Sequence, residues 1–474
     1  MKLISHGAAR EVTGSCHELK IGSKRILLDC GLFQGSRKKS VEKNATFSFD
    51  PSSDIDAVIV SHAHMDHVGR VPLLYKRGYR GKVHCTYATM DLAEVMLQDS
   101  GYIHEKDEEY FQKHLPKTMV QCEGPLYTQQ DAIDCMEVFA GKNYNEWFEV
   151  CDPSTSSGQV GIKAKFIDAG HVLGAAMIVL EIDEGGKKKT IGFSGDLGRD
   201  MLPIIRDPVD MPPVDVLICE STYGNRTHEG IESARNELRD VIIRTAKRGG
   251  KVLIPAFSLE RTQEIIYDLH LLWDAKEIPE IPIVVDSPLA SRVTNIFMKH
   301  PECYDKDMYE KFLARAHNPF QFSLVRFTES VQESKDLNSA SGPMILMAGA
   351  GMCEGGRIRH HLRQNLEDDR NTVLAVGYMA ENTLGRRVMD KEVSSVKIFD
   401  QTYRKQAETV YINAYSGHAD MEDLDAYIKN TDVKSKICLV HGEETAMTVF
   451  KDRTVTAKPN CEVIMPERGE EYEI

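Results

Sequence analysis

Residues 61–70 read SHAHMDHVGR, which places three histidines and an aspartate within six positions. Extended backbone points side chains i and i+2 the same way, so His62 and His64 can converge on one ion. Asp66 and His67, past Met65, can swing to a second ion nearby. Imidazole with carboxylate suits zinc, and also manganese or iron. Chance can produce such a cluster on a surface, so its reading depends on donors elsewhere in the chain. A two-metal site needs about six or seven protein donors and a bridging water.

Working outward, several short apolar runs end in residues of ligand type. AVIV (57–60) runs into Ser61-His62, KAKFIDAG (163–170) into His171 and TIGFSG (190–195) into Asp196. DVLIC (215–219) runs into Glu220, and KICLV (436–440) into His441. Runs this short and rich in Val and Ile read as buried strands, and loops leaving strand ends commonly carry the chemistry of α/β folds. His171 can complete the first site, His441 the second, and Asp196 can bridge them. Asp29, in LLDCG, is a buried-strand carboxylate suited to orienting a ligand or the water from behind.

The middle of the chain has a different texture. IESARNELRDVIIRTAKRGG (231–250) has the pattern of an amphipathic helix stopped by two glycines. KVLIPAF, IPIVVDSP, PMILMAGAG and TVLAVGY read as strands separated by helices, with Ser258 as the cap of a helix bearing Ile265, Ile266, Leu269 and Leu272. Such a βαβ series predicts a mainly parallel sheet covered by helices. It holds none of the ligand-bearing strand exits, so one catalytic domain interrupted by an inserted α/β domain is the simplest organisation. Residues 101–160, with a charged run and a helix near 129–139, read as an elaboration of the first domain.

The 474 residues are 42% apolar and 27% charged, ordinary for a globular protein of two or three domains. No apolar run has the length of a membrane span or a signal peptide, so no membrane partner is expected. Eleven cysteines without a CxxC pair suggest reduced thiols and a cytoplasmic location. The net charge of −14 is unlike that of a general nucleic-acid coat.

LLDCG, HAHMDH, AGHVLG and SGDLG, in this order, resemble the four motifs of the metallo-β-lactamase superfamily. The resemblance implies an αββα sandwich with a dinuclear metal site at one edge. It carries metal-ligand roles onto His62, His64, Asp66, His67, His171 and Asp196, and implies two zinc ions per chain, with manganese as the alternative. ESTYG with Glu220, YSGHAD with His418 and LVHGE with His441 resemble motifs A, B and C of the β-CASP branch. That branch processes nucleic acids and carries an inserted α/β domain between motifs A and B. The expected division is residues 1–224 and 391–474 for the metallo-β-lactamase domain and 225–390 for the insertion. PAFSLERTQEII, VDSPLA, GAGMCEGGRIRHHL and GYMAENTLGRR also resemble this branch, so the likeness covers essentially the whole chain. Histidine at motif C resembles the RNA-cleaving members; the DNA-cleaving ones typically have an apolar residue there. The likeness is to bacterial and archaeal ribonucleases similar to the endonuclease subunit of the pre-messenger-RNA cleavage factor. Neither KH domains like those of the archaeal termination nuclease nor a long C-terminal domain like that of ribonuclease J is expected within these 474 residues.

The implied reaction is hydrolysis of single-stranded RNA by water activated at the metal pair, with Asp196 and Asp66 holding the centre. His418 would protonate the leaving oxygen or stabilise phosphoryl charge, and Glu220 would hold its imidazole. The products would carry 5′-phosphate and 3′-hydroxyl ends, and endonuclease and 5′-to-3′ exonuclease action both fit. Ser416, Gly417, Arg357, Arg359, Arg386, Arg387 and the SRKK of 36–39 are candidate phosphate contacts, as is a helix opened by Gly355 and Gly356. A homodimer is compatible with the family. GAGMCEGG has Glu354 at the third position of the dinucleotide fingerprint and no Walker A motif is present, so no nucleotide cofactor is expected. The competing readings are a small thioester or lactam hydrolase on the same core, a DNA nuclease and a non-catalytic scaffold. The Glu220–His418 pair, His441 and the full ligand set respectively argue against them.

Overall fold

A computed structural model describes residues 1–35, 37–114, 124–152, 160–315, 318–377, 379 and 382–474. The backbone divides into two compact units. One comprises Met1–Asp200, Arg206–Thr227 and Gly417–Ile474, the other Met201–Ile205 and His228–Ser416.

The first unit is built on two seven-stranded sheets. In one, the strands lie in the order Glu471–Glu473, Lys2–Gly7, Cys16–Ile21, Lys24–Leu28, Ala57–Ile59, Lys82–Thr86, Phe139–Lys142. In the other the order is Glu462–Ile464, Val433–Val440, Val214–Glu220, Lys187–Phe193, Ala176–Glu184, Val160–Asp168, Trp147–Cys151. Alternation along the strands sends Leu19, Ile26, Leu28 and Ile59 of the first sheet against Ile162, Phe166, Ile178, Phe193 and Ile218 of the second, all buried in one core. Each such side chain contributes about 1.5–3 kcal/mol on burial. The outer face of the first sheet buries Val58, Val60 and Val83 with Leu74 of helix Val71–Lys76, Leu97 of helix Tyr87–His114 and Ala132 of helix Gln129–Asp134. Helix Glu444–Ala457 packs on the second sheet, with Met421–Asn430 beside it. The layers are those of an αββα sandwich. Residues 101–160 supply part of the long helix and an edge strand to each sheet, in keeping with an elaboration of this domain.

Strand register explains why the ligand-type residues share an edge. Val214–Glu220 runs parallel to Val433–Val440 with Glu220 opposite Val440, so Glu220 and His441 leave the sheet together. Lys187–Phe193 is parallel to Val214–Glu220 and ends at the same edge, two residues before Gly195-Asp196. In the other sheet, Ala57–Ile59 lies between parallel neighbours and exits into Ser61-His62.

The second unit contains an all-parallel six-stranded sheet, ordered Val325–Phe327, Ile283–Val285, Met344–Ala348, Lys251–Pro255, Thr372–Ala375, Glu408–Tyr411. This is the expected βαβ series with its intervening helices. The unit ends at Ser416, not at residue 390. Glu408–Tyr411 adds to the sheet beside Thr372–Ala375, and the hairpin of Ser395–Ile398 and Gln401–Arg404 buries Val396 and Ile398 in this core. Ser258 is not the expected cap: the helix is Arg261–Asp274, preceded by Glu260 in a left-handed conformation (φ 65°). Among the described residues no helix is long and apolar enough to cross a membrane.

Candidate metal centre

The loop after Ala57–Ile59 turns into a four-residue helix, Met65–Val68, with His64 at its N-cap position. So short a helix is held from outside. Leu32 N donates to Met65 O at 2.8 Å, Cys30 N to His67 O at 2.7 Å and Ser15 N to Asp66 O at 2.7 Å. A Cβ on Gly31 would lie 1.6 Å from Asp66 O, so only glycine allows this approach. The turn sends His62 and His64 one way and Asp66 and His67 the other.

His62, His64, His171 and Asp196 form the first group. His64 Nδ1 lies 3.0 Å from His62 Nε2 and 3.2 Å from His171 Nε2, and Asp196 Oδ2 is 3.6 Å from both His62 Nε2 and His171 Nε2. Asp66, His67 and His441 form the second group. His67 Nε2 is 3.1 Å from His441 Nε2 and 3.9 Å from Asp66 Oδ2, and His441 Nε2 is 3.6 Å from Asp66 Oδ2. Asp196 Oδ2 is also 3.2 Å from His67 Nε2, so this carboxylate touches both groups.

These spacings fit metal ions. Zinc bonded at about 2.0–2.1 Å in a tetrahedron keeps its donors about 3.3–3.4 Å apart. His64 Nδ1 faces both His62 Nε2 and His171 Nε2, so three ring nitrogens converge where at most one proton can be shared at a time. Buried Asp196 Oδ1 accepts no hydrogen bond among the described residues. The donors are nitrogen and oxygen without sulfur, which suits zinc or manganese.

The surroundings fix which imidazole nitrogen faces inward. His67 Nδ1 donates to Asp29 Oδ2 at 2.7 Å, and His171 Nδ1 donates to Gly417 O at 2.8 Å. His62 Nδ1 meets Ser61 Oγ at 3.0 Å, and His441 Nδ1 meets Thr222 Oγ1 at 3.1 Å. Each leaves Nε2 for the metal group. Asp29, fully buried, also accepts from Ser15 Oγ (2.9 Å), Ser61 Oγ (3.1 Å) and Ser61 N (2.8 Å). Asp29 and His441 hold left-handed backbone conformations (φ 63° and 50°), each costing about 1–3 kcal/mol that the packing around them offsets.

Electrostatics divide the donors: burial opposes charge on His67, but the Asp196 and Asp29 carboxylates outweigh it and hold its imidazole well above the ordinary range. Burial holds the imidazoles of His62 and His171 well below their ordinary range, and His64 down to about 4. All three are therefore neutral, the ligating form, at ordinary pH. Burial opposes the charge of Asp66, but hydrogen bonding by His441 and the charge of His67 outweigh it and hold the carboxyl at about 2.

Glu220 and His418 stand beside Asp196. Buried Glu220 accepts from Leu197 N at 2.6 Å and Thr222 N at 3.2 Å, and its Oε1 is 3.4 Å from His418 Nδ1. Burial opposes charge on His418, yet the Glu220 and Asp196 carboxylates outweigh it and push the imidazole up to about 9. Its side chain remains 21% exposed, against 2% for His171 and 4% for His441.

The weaker sequence candidates divide. Gly417 lies in this site, where its carbonyl holds His171. Arg357 belongs to the second unit and is committed there, donating to Asp286 Oδ1 at 2.6 Å and Glu329 O at 3.0 Å. The helix near Gly355-Gly356 starts only at Ile358, whose N–H is taken by Gly349 O at 3.1 Å. Arg359 lies over the Phe399 ring at 4.4 Å. Arg386 and Arg387 are exposed on helix Leu384–Met389, and Ser416 is half-buried in the second unit. Ser36 and the side chains of residues 37–39 lie outside the described residues. Ser61 and Thr222 were not singled out by sequence; ordinary hydroxyls beside ligand motifs carry no signal of their own.

Three family models match the chain: a beta-lactamase superfamily domain over residues 24–236, a Beta-Casp domain over 262–388 and a Zn-dependent metallo-hydrolase RNA specificity domain over 402–466. Ribonuclease TTHA0252 of Thermus thermophilus is 36% identical, with 94% of each chain covered. Transcription termination factor FttA of Methanocaldococcus jannaschii is 32% identical over 94% of this chain and 67% of its own. Cleavage and polyadenylation specificity factor 73 of Drosophila melanogaster is 29% identical over 94% of this chain and 60% of its own. A solved structure described as a protein of unknown function from Enterococcus faecalis V583 superposes with a TM-score of 0.55 at 13% identity, covering 100% of this chain and 99% of that one, a likeness of fold. The motifs, the paired donor groups and these relatives agree: the chain belongs to the metallo-β-lactamase β-CASP family of metal-dependent RNA nucleases.

Proposed function

We propose that the protein hydrolyses phosphodiester bonds of single-stranded RNA, using two metal ions per chain, zinc first and manganese as the alternative. The observation that carries this reading is the convergence of seven donor residues into two groups that share Asp196. His62, His64, His171 and Asp196 would hold one ion, and Asp66, His67, His441 and Asp196 the other. Bound there, the ions supply a water of lowered pKa and neutralise charge on the phosphoryl oxygens.

The chain's own residues would do the rest. Asp29 and Ser61 keep His67 and His62 turned toward the centre. Glu220 takes His418 Nδ1 and so leaves Nε2 to deliver a proton. As the new oxygen–phosphorus bond forms and the bond to the 3′ oxygen breaks, that proton neutralises the leaving oxygen. The fragments carry a 5′-phosphate and a 3′-hydroxyl. His418 enters this scheme because it is charged, partly exposed and adjacent to the shared carboxylate without belonging to either four-donor set. Hydrolysis of a small thioester or lactam has no use for the Glu220–His418 pair. The names ribonuclease TTHA0252 and endoribonuclease ysh1, carried by relatives, support RNA over DNA, and no nucleotide cofactor is required.

The test offers 5′-labelled single-stranded RNA, matched DNA, a lactam and a thioester to the metal-loaded protein. Cleavage of RNA alone supports the reading, and its fragment ladder separates internal cutting from release of a labelled mononucleotide. Turnover of the lactam or thioester with both nucleic acids intact would refute it.

A further inference from the structure

The Thr222 hydroxyl occupies a position that gives it one consistent hydrogen-bonding role. Its Oγ1 donates to the backbone carbonyl of His441 at 3.1 Å. A hydroxyl has a single proton, so toward any second partner it can only accept. That partner is His441 Nδ1, also at 3.1 Å. His441 Nδ1, which also lies 3.4 Å from Asp196 Oδ1, therefore carries hydrogen, and the lone pair lies on Nε2, which faces His67 Nε2 at 3.1 Å and Asp66 Oδ2 at 3.6 Å. The backbone ties the same residue to the other half of the site. Thr222 N donates to Glu220 Oε2 at 3.2 Å, and Ser221 N donates to His441 O at 3.2 Å.

We propose that Thr222 is a positioning residue for the second metal group: its hydroxyl fixes the tautomer and ring orientation of His441 so that Nε2 is the ligating nitrogen. The proposal rests on the two-metal reading above. His62, His67 and His171 have Ser61, Asp29 and the Gly417 carbonyl in the equivalent role. Thr222 is the corresponding partner of the one ligand delivered by the last third of the chain. It orients His441 only while the hydroxyl is present. Valine has the same shape, but leaves the His441 Nδ1–H only the longer approach to Asp196 Oδ1 at 3.4 Å and its carbonyl with one partner fewer.

The test compares wild type, Thr222→Val, Thr222→Ser, His441→Ala and the double variant T222V/H441A. Zinc affinity is measured by competition with a chromophoric chelator, and cobalt(II) absorption reports the coordination of each ion. Loss of an outer partner typically lowers metal affinity by roughly 10–100-fold. Thr222→Val should therefore weaken one of two bound ions by about that factor and alter one cobalt band set, whereas Thr222→Ser should stay within about threefold of wild type. In the His441→Ala background, Thr222→Val should add nothing further. Two ions held by Thr222→Val with wild-type affinity would overturn the proposal, as would an equal loss in both backgrounds. Wild type that binds no metal would instead overturn the underlying two-metal reading.

Discussion

Replacing Asp29 with asparagine probes the support beneath the donor group of Asp66, His67 and His441. Oδ2 of Asp29 accepts from His67 Nδ1, Ser15 Oγ and Ser61 Oγ, and Oδ1 accepts from Ser61 N. An amide can keep its oxygen at the three-donor position only by turning its NH2 toward the Ser61 N–H. The His67 bond then loses its charge assistance, about 1 kcal/mol, and a buried N–H is stranded at about 1–3 kcal/mol. The expected loss is about 2–4 kcal/mol, set against a total stability of about 5–15 kcal/mol. The protein has two tryptophans, Trp147 in the first unit and Trp273 in the second. In a Trp273→Phe background, Trp147 fluorescence therefore follows urea unfolding of the unit that carries Asp29. With an m-value of about 3 kcal/mol/M, the midpoint of the metal-free protein should fall by about 1 M. Ser15→Ala removes one hydrogen bond to the same carboxylate, about 1.5–3 kcal/mol, and should lower the midpoint by about 0.5–1 M. Coincident midpoints for wild type and Asp29→Asn would refute the reasoning.

Three further outcomes follow from the same geometry. A Cβ on Gly198 would lie 1.7 Å from Gly170 O, so Gly198→Ala should push the Asp196 loop from the His171 loop. It should cost about 1–3 kcal/mol in a urea melt and lower metal content; unchanged metal content would contradict it. Buried Glu18 is pulled down from its ordinary 4.5 to about 2, because hydrogen bonds from His6 and Arg25 outweigh the burial that opposes its charge. A depressed folded pKa gives stabilisation that is complete above 4.5 and lost as pH falls toward 2. The stability gap between wild type and Glu18→Gln should accordingly be wide at neutral pH and close across that window, and a gap that widens on acidification would be the wrong sign. His418→Ala should slow RNA cleavage by about 10²–10⁴-fold at chemistry-limited turnover with metal content unchanged, whereas full-rate cleavage would remove His418 from the mechanism.

The residues that the structure gathers into the two donor groups were legible because their chemistry is local in sequence. Four of the donors sit within SHAHMDH, and His171, Asp196 and His441 each close a short apolar run, a pattern that strand burial and strand exit both leave on the chain. The βαβ series was legible for the same reason of periodicity. What sequence missed depends on how backbone and partners meet. Thr222 and Ser61 matter only because the loops bring their hydroxyls to Nδ1 of a neighbouring imidazole. Arg357 reads as a free cation in GGRIRHH, but Asp286, some seventy residues away, claims its guanidinium. Glu408–Tyr411 carries neither a ligand at its exit nor a strong apolar pattern, so its place in the parallel sheet, and with it the end of the second unit at Ser416, was invisible until pairing was seen.

The measurement that bears most directly on the account is metal content paired with a cleavage time course, for wild type and Asp196→Ala, on 5′-labelled single-stranded RNA. Among the described residues, Asp196 is the carboxylate that touches both donor groups. The account predicts two ions per wild-type chain, RNA cleavage abolished by chelation and restored by zinc or manganese, and a variant that is folded, deficient in metal and silent. Cleavage by the metal-free protein, or an Asp196→Ala variant that cuts at the wild-type rate, would contradict it.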